Sequence, residues 1–357
     1  MKNLNNMKPL GVKEDSIMKL LQLYEFKGKS KHYDEAYKAD KEAMIRDTVK
    51  KELLYFSEFY KLNITDARKK VLAKKDCEAK NKDEQFYINF KNVLARMLKD
   101  PDDIELRDYQ YLELVEALYN KADTVAFRTY KVVDENESLI SRTRIVSLRE
   151  ELKQMLEEFE FKLNHKDYEI SNMITNFYVD YKNQEIFTKY NNEIGYIILF
   201  SLILKSGFTV FKYVTFFDKL IKYKDKLEDA TLAASLHYSE GYSDTRKLNE
   251  IIIDILLDSY HEIEDNLNSY TFEYKNTKED LIMGIILKLP QEFTRDDIKQ
   301  KEPLISDSTI NRALAKLSKE NKIRALGTGR SAKWLKLQSD INFMNSKQID
   351  IFNLSDD

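Results

Sequence analysis

The chain has 357 residues, a formal net charge of −3 and 43% hydrophobic residues. That length allows two or three domains with a sizeable core, and the composition excludes a disordered polyanion or polycation. The near-neutral balance excludes a global field that would steer the molecule to nucleic acid, so any basic patch must be local.

Only eight Gly and four Pro occur, which suits long helices. The single Cys77 excludes an intramolecular disulfide and a cysteine zinc cluster, and points to a reducing cytoplasm. Met1 to Leu10 has no apolar leader. The longest apolar run, Tyr196 to Leu204, is far below the ~20 residues that span a bilayer, so it reads as a buried core helix and no membrane is expected. The bias toward Lys, Asn, Ile and Tyr suggests an AT-rich bacterial or phage genome.

In chain order, Ser16 to Tyr24 has helical apolar spacing and ends near Gly28. Tyr33 to Leu72 reads as one or two long charged helices, and Lys74 to Glu84 as a break. Phe86 to Leu98 is amphipathic and stops before Asp100-Pro101; Leu106 to Asn120 is a further helix. Phe127 to Val133 and Leu139 to Val146 are β-prone runs around the polar turn Asp134 to Glu137, which predicts a hairpin. Ser147 is the expected N-cap of a helix over Ser147 to Phe161, with Glu150 and Glu151 in its first turn. Helices follow over Ser171 to Tyr181, Ile194 to Lys205, Tyr213 to Leu227, Asp229 to Tyr238 and Thr245 to Asn266. Asn268 to Thr277 reads as a polar linker, and the tail after Gln338 as loosely held.

From Lys278 the pattern changes to three short helices and a two-strand wing, the order of a winged helix-turn-helix. Thr294 caps a helix containing Asp297 and Ile298, and Pro303 closes it. Ser306 caps the next helix, which carries Ile310, Leu314 and Leu317 on one face. Ile323 to Leu326 and Ala332 to Leu335 flank Gly327-Thr328-Gly329 as the wing. Eight Lys and Arg lie between Asn311 and Lys336 against the single Glu320, so this segment is basic in an acidic chain. A basic recognition helix and wing suit phosphates of duplex DNA, with Ser308, Thr309, Asn311 and Arg312 early enough on the helix to reach base edges. Ser308, Asn311, Arg312, Lys316, Arg330 and Lys333 are the candidate nucleic-acid-binding residues, and Trp334 is expected to anchor the wing to the core.

His32, His165, His237 and His261 show no metal-ligand spacing, and Asp100, Asp102 and Asp103 read as a helix stop and cap. No metal and no cofactor are expected.

The segment from Glu185 to Tyr196 reads Glu-Ile-Phe-Thr-Lys-Tyr-Asn-Asn-Glu-Ile-Gly-Tyr. It resembles, without a gap, the signature loop of Fic-type nucleotidyl transferases, His-Pro-Phe-x-x-Gly-Asn-Gly-Arg-x-Gly-Arg. Phe187, Asn191 and Gly195 match; Glu185 replaces the catalytic His, Ile186 the Pro, Tyr190 and Asn192 two Gly, and Glu193 and Tyr196 two Arg. Weaker likenesses keep the family's order. They are Phe26-Lys27-Gly28-Lys29, Phe56 to Leu62 at the inhibitory helix, Phe127-Arg128-Thr129 at the flap hairpin, and Ser239-Glu240-Gly241-Tyr242. Gly207 to Leu220 resembles the helix and turn after the signature loop, and Gly329 to Trp334 the ending of the winged helix that closes many members.

The resemblance implies a mainly α fold: a Fic-like helical bundle with one β-hairpin flap, plus a C-terminal winged helix-turn-helix. The implied domains are an N-terminal helical region over 1–84, a Fic-like core over 85–268, the winged helix over 279–338 and a tail over 339–357. The family transfers AMP from ATP, and its inhibitory Glu pairs with the second loop Arg. Here Tyr60 stands at that Glu and Tyr196 at that Arg, a joint loss that suits a pseudoenzyme.

Nucleotide transfer needs a base, backbone phosphate donors and positive charge; no Gly lies between Gly28 and Gly195, and Glu193 brings a carboxylate instead. The leading expectation is therefore a catalytically degenerate regulator that binds DNA. Two alternatives stay open: a divergent AMP transferase using ATP with Glu185 as base and Asn191 holding phosphate or metal, and a protein-interaction partner of decoy or antitoxin type. Duplex DNA, a protein and further copies of the chain are the partners implied.

Overall fold

The computed structural model describes residues 3–7, 14–38, 40–75, 77–134, 142–241, 243–273, 278–303, 305–327, 329 and 332–337. The chain divides into two compact units, Met1–Glu264 and Asp265–Asp357. The tail after Gln338, Arg330 and the turn between the hairpin strands lie outside the described residues.

Among the described residues the first unit is helical apart from one hairpin. Its helices are α1 (Glu14–Gly28), α2 (Ser30–Ala36), α3 (Lys41–Phe59), α4 (Asp66–Lys74), α5 (Lys82–Lys99) and α6 (Asp108–Tyr119), then α7 (Arg149–His165), α8 (Ile170–Gln184), α9 (Asn191–Lys205), α10 (Phe216–Ser235) and the greater part of α11 (Arg246–Glu273), which runs past Glu264. Between α6 and α7, strands β1 (Thr129–Asp134) and β2 (Arg142–Ser147) pair antiparallel, with Thr129 opposite Ser147 and Asp134 opposite Arg142.

The apolar run of α9 makes it the central helix, buried at every position from Ile194 to Leu204. Ser201 fits there because its hydroxyl donates to the Ile198 carbonyl at 2.7 Å and bonds the Tyr111 hydroxyl at 2.8 Å. Among the described residues no helix is long and apolar enough to cross a membrane.

Several expected boundaries change. The single charged stretch over 33–72 is three helices, α2 to α4; α3 ends where Lys61 takes a left-handed conformation, φ 52°. The two helices expected over 213–238 are one, because Leu227, Ala230, Thr231 and Ala234 continue the buried face through the charged segment and no Gly or Pro interrupts it. Helix α11 runs on to Glu273 through most of the expected linker. Leu148, not Ser147, is the N-cap of α7; the Ser147 hydroxyl still accepts from the Arg149 N–H at 3.2 Å. Asp100 stops α5 as expected and caps the short turn after it by accepting from the Asp102 N–H.

A buried carboxyl group ties α3 to α10. Glu52 accepts from the N–H groups of Phe216 and Phe217 at 2.8 and 2.9 Å, and so satisfies two orphan donors of the α10 N-terminus. Burial pushes the Glu52 carboxyl up to about 8, against the pull of those two N–H bonds. The folded chain therefore holds a proton that the unfolded chain releases near the ordinary Glu value of about 4.3. This contribution to stability is full below that value and is lost as pH rises toward 8. Thermal melts should show a fall on the order of 5 °C between about pH 5 and pH 8, and Glu52→Gln should flatten it.

The second unit contains α12 (Lys278–Lys288), β3 (Glu292–Phe293), α13 (Arg295–Lys301), α14 (Asp307–Lys319), β4 (Ile323–Ala325) and β5 (Trp334–Lys336). Its sheet order is β3-β5-β4, all antiparallel, so a third strand joins the two that the sequence led us to expect. Thr294 and Asp297 form a reciprocal capping box on α13, and the Ser306 hydroxyl caps α14 by accepting from the Thr309 N–H. Ile282, Ile286, Phe293, Ile298, Ile310, Leu314 and Leu317 share one core, with Trp334 packed against it.

Candidate functional site

The loop between α8 and α9 begins at Glu185, which takes a left-handed conformation (φ 47°) at the end of α8. This conformation is uncommon for a residue with a Cβ. Its exposed carboxylate accepts from Arg128 at 2.8 Å, and the second guanidinium nitrogen of Arg128 donates to the Gln184 carbonyl at 2.7 Å. Glu185 is thus held by an ion pair to the segment before β1.

The middle of the loop is sewn into that same segment. Phe127 and Phe187 form an antiparallel bridge with rings 5.2 Å apart and nearly parallel. The Arg128 N–H donates to the Ile186 carbonyl and the Thr188 N–H to the Ala126 carbonyl, both at 2.9 Å. Ile186 and Phe187 are fully buried. Asn191 closes the turn from the other side: its amide oxygen accepts from the Phe187 N–H at 2.8 Å, and its amide nitrogen donates to the Phe187 carbonyl at 2.7 Å. Both ends of the Asn191 amide are used by the loop itself.

Tyr190 carries the second left-handed conformation (φ 59°) where the family pattern has Gly. Its ring stacks on Tyr119 at 4.5 Å, and its hydroxyl donates to Asp123 at 2.6 Å. Lys189 pairs with the same carboxylate at 2.9 Å. Hydrogen bonds from Tyr190 and Lys189 hold the Asp123 carboxyl well below the usual range.

The start of α9 is packed with aromatic side chains. The Tyr60 hydroxyl donates to the Glu193 backbone carbonyl at 2.9 Å. Burial pushes this phenol well above its ordinary value, so it stays a neutral donor. The Phe59 ring meets Tyr60 at 5.1 Å and Tyr196 at 4.9 Å, both edge-on. Tyr60 is therefore a neighbour of Glu193 and Tyr196, although 133 positions separate it from Glu193 in sequence. Gly195 is needed for packing, since a Cβ there would lie 3.1 Å from the Tyr181 ring. Lys182 bonds the Asn192 side chain.

Beside the loop, Arg128, Thr129, Tyr130, Leu148, Glu151, Asn183 and Gln184 line an open cleft of about 520 Å³. Sequence reading noted the segment Phe127-Arg128-Thr129, yet missed that Arg128 pairs with Glu185 and that Asp123 anchors Tyr190. Neither contact has a local sequence signal. Among the described residues no group of three or more His, Cys, Asp or Glu is placed to hold a metal.

In the second unit, α14 has two distinct faces. Ile310, Ala313, Leu314 and Leu317 are buried, whereas Ser308, Asn311, Arg312 and Lys316 are exposed. The Asn311 amide oxygen accepts from Arg295 at 3.0 Å, and the Ser308 and Ser306 hydroxyls lie 2.9 Å apart. Lys333 is exposed, with Glu292 at 3.7 Å. Two cations counted in the basic segment are not part of this exposed set. Lys322 pairs with Glu320 at 2.9 Å, and Lys336 is buried, donating to the carbonyls of Leu287 and Leu289 at 2.8 and 2.7 Å. Arg330 lies outside the described residues.

No protein-family model and no curated protein matches the sequence. Among solved structures, the chain is similar to the crystal structure of a Fic family protein from Desulfovibrio desulfuricans G20, with a TM-score of 0.50 and 12% identity. The match covers 92% of this chain and 98% of that one. At this identity the likeness is one of fold, and the mainly helical architecture described above is Fic-like.

Proposed function

We propose that this chain is a catalytically degenerate Fic-like protein that works as a regulator, binding duplex DNA through the winged helix of its C-terminal unit. The observation that carries the reading is the two-faced α14. Its apolar side is spent on the core, while its other side presents Ser308, Asn311, Arg312 and Lys316 from a capped N-terminus. That arrangement suits a recognition helix: cations for phosphates, and short polar side chains for base edges. Lys333, just before β5, adds a cation on the wing.

The loop of the first unit supports the degenerate half of the reading. A transferase loop needs open backbone donors and a free base. Here Glu185 is ion-paired with Arg128, Asn191 is committed to Phe187, and the Tyr60 hydroxyl is committed to the Glu193 carbonyl. A divergent transferase using Glu185 would have to break the Arg128 pair first. Titrating the full chain with duplex fragments of its own genome tests the reading. Saturable, salt-sensitive binding supports it, and no binding at low salt overturns it.

A further inference from the structure

A separate cleft of about 470 Å³ opens in the first unit among Tyr24, Lys27, Lys166, Tyr168, Lys205 and Ser206. Three helix C-termini converge on it. Lys27 lies in the last turn of α1, Lys166 is the left-handed residue ending α7, and Lys205 is the last residue of α9. Each such terminus carries a partial negative charge of about one half, so part of the lysine charge is dipole compensation. Those three ends and Glu169, less the positive N-terminus of α8, offset about two of the three ammonium charges. About one positive charge remains.

Glu169 does not quench it by pairing. Its carboxylate is occupied by the Tyr24 hydroxyl at 2.8 Å and by Ser171 and Asn172, whose N–H groups it caps at 2.8 and 2.7 Å. Neither Lys27 nor Lys166 has an ion-pair partner among the described residues. The Lys27 ammonium is held instead by aromatic faces, 4.9 Å from the Phe208 ring centre and 5.7 Å from that of Tyr24. Gly207 makes room for it: at φ +87° it favours glycine, and a Cβ there would lie 3.2 Å from the Lys27 Cε. Burial pulls the Lys27 ammonium below its ordinary value; the Glu169 charge opposes this and Lys166 adds to it, and a bound anion would raise it again. A second observation is independent of charge. Ser206, a buried residue of the lining, has a hydroxyl with no hydrogen-bond partner, and native interiors rarely leave such a group unmatched.

We propose that this cleft binds a small phosphate-bearing molecule, with its oxyanion on Lys27, Lys166 and the Ser206 hydroxyl and its apolar body against Tyr24 and Tyr168. Several donors approaching from different elements suit the many oxygens of a phosphate better than the two of a carboxylate. The site stands apart from the DNA-binding reading and does not depend on it.

Phenyl phosphate is the probe, titrated into the full chain by calorimetry, with inorganic phosphate and benzoate as comparison arms. Saturable binding of phenyl phosphate is expected, about tenfold weaker in Lys27→Met and in Lys166→Asn, and weaker still for inorganic phosphate and benzoate. Lys166→Asn keeps the test valid if Lys27→Met fails to fold, because Lys166 is exposed and Asn tolerates its left-handed backbone. Ser206→Ala should weaken binding severalfold while leaving the melting temperature unchanged or higher, since it removes an unsatisfied hydroxyl. A purely structural serine would lower it. Absence of saturable binding at about 10 mM phenyl phosphate, or wild-type affinity in both lysine variants, overturns the site. Benzoate binding as tightly as phenyl phosphate overturns the phosphate assignment.

Discussion

Phe56→Ala is expected to cost the first unit about 3–5 kcal/mol of stability. Phe56 is fully buried, and its ring stacks face to face on Phe90 at 3.8 Å. The edges of Phe217 at 5.2 Å and Tyr60 at 4.7 Å close around it. The cost combines the lost transfer of a large apolar side chain with a cavity that rigid neighbouring rings cannot collapse to fill. The consequence reaches the loop, because Tyr60 packs on this ring and bonds the Glu193 carbonyl. Urea unfolding checks the prediction. Phe56→Leu should cost less than about half as much, since it keeps most of the volume. A Phe56→Ala loss below about 1 kcal/mol would mean that the aromatic layer does not hold α3 against α5 and α10.

In the second unit, Lys336→Ala is expected to cost about 2–5 kcal/mol, although lysines are usually among the most replaceable residues. Lys336 is buried and donates to the carbonyls of Leu287 and Leu289, at the end of α12 and just beyond it. Those are orphan carbonyls of a helix C-terminus, where a cation is also favoured by the dipole. Removing the ammonium leaves two buried acceptors unpaired, each worth about 1–3 kcal/mol. Trp334 is the single tryptophan and packs on the core of this unit, so its fluorescence reports the unit's unfolding alone. Arg312→Ala, at an exposed position, should shift the same transition by less than about 0.5 kcal/mol. The contrast separates a lysine that builds the fold from an arginine on its surface.

Local patterns carried much of the fold into view from the sequence. The apolar run Tyr196 to Leu204 could only be a buried helix, and the Thr294–Asp297 and Ser306 caps stated where α13 and α14 begin. What stayed hidden was either continuity or distance. The acidic pair Glu228-Asp229 disguised α10 as two helices, because a helix with a narrow buried face tolerates polar residues on the other. The contacts that shape the loop join residues far apart: Arg128 to Glu185 over 57 positions, and Tyr60 to Glu193 over 133. Lys336 was counted with the basic surface because nothing in its neighbourhood announces that β5 turns it inward. The lysine cleft was invisible for the same reason, since Lys27, Lys166 and Lys205 come from three different helix ends.

The most direct test of a DNA-binding regulator is a salt series of duplex-DNA titrations on the full chain and on the double variant Arg312→Ala, Lys316→Ala. Binding that weakens steeply with salt is predicted for the wild-type chain, because phosphate contacts release condensed counterions. The double variant should bind at least about tenfold more weakly, with a log–log salt slope shallower by about 2, one unit per lost phosphate contact. No saturable binding at low salt, or identical slopes for the two proteins, would contradict the account.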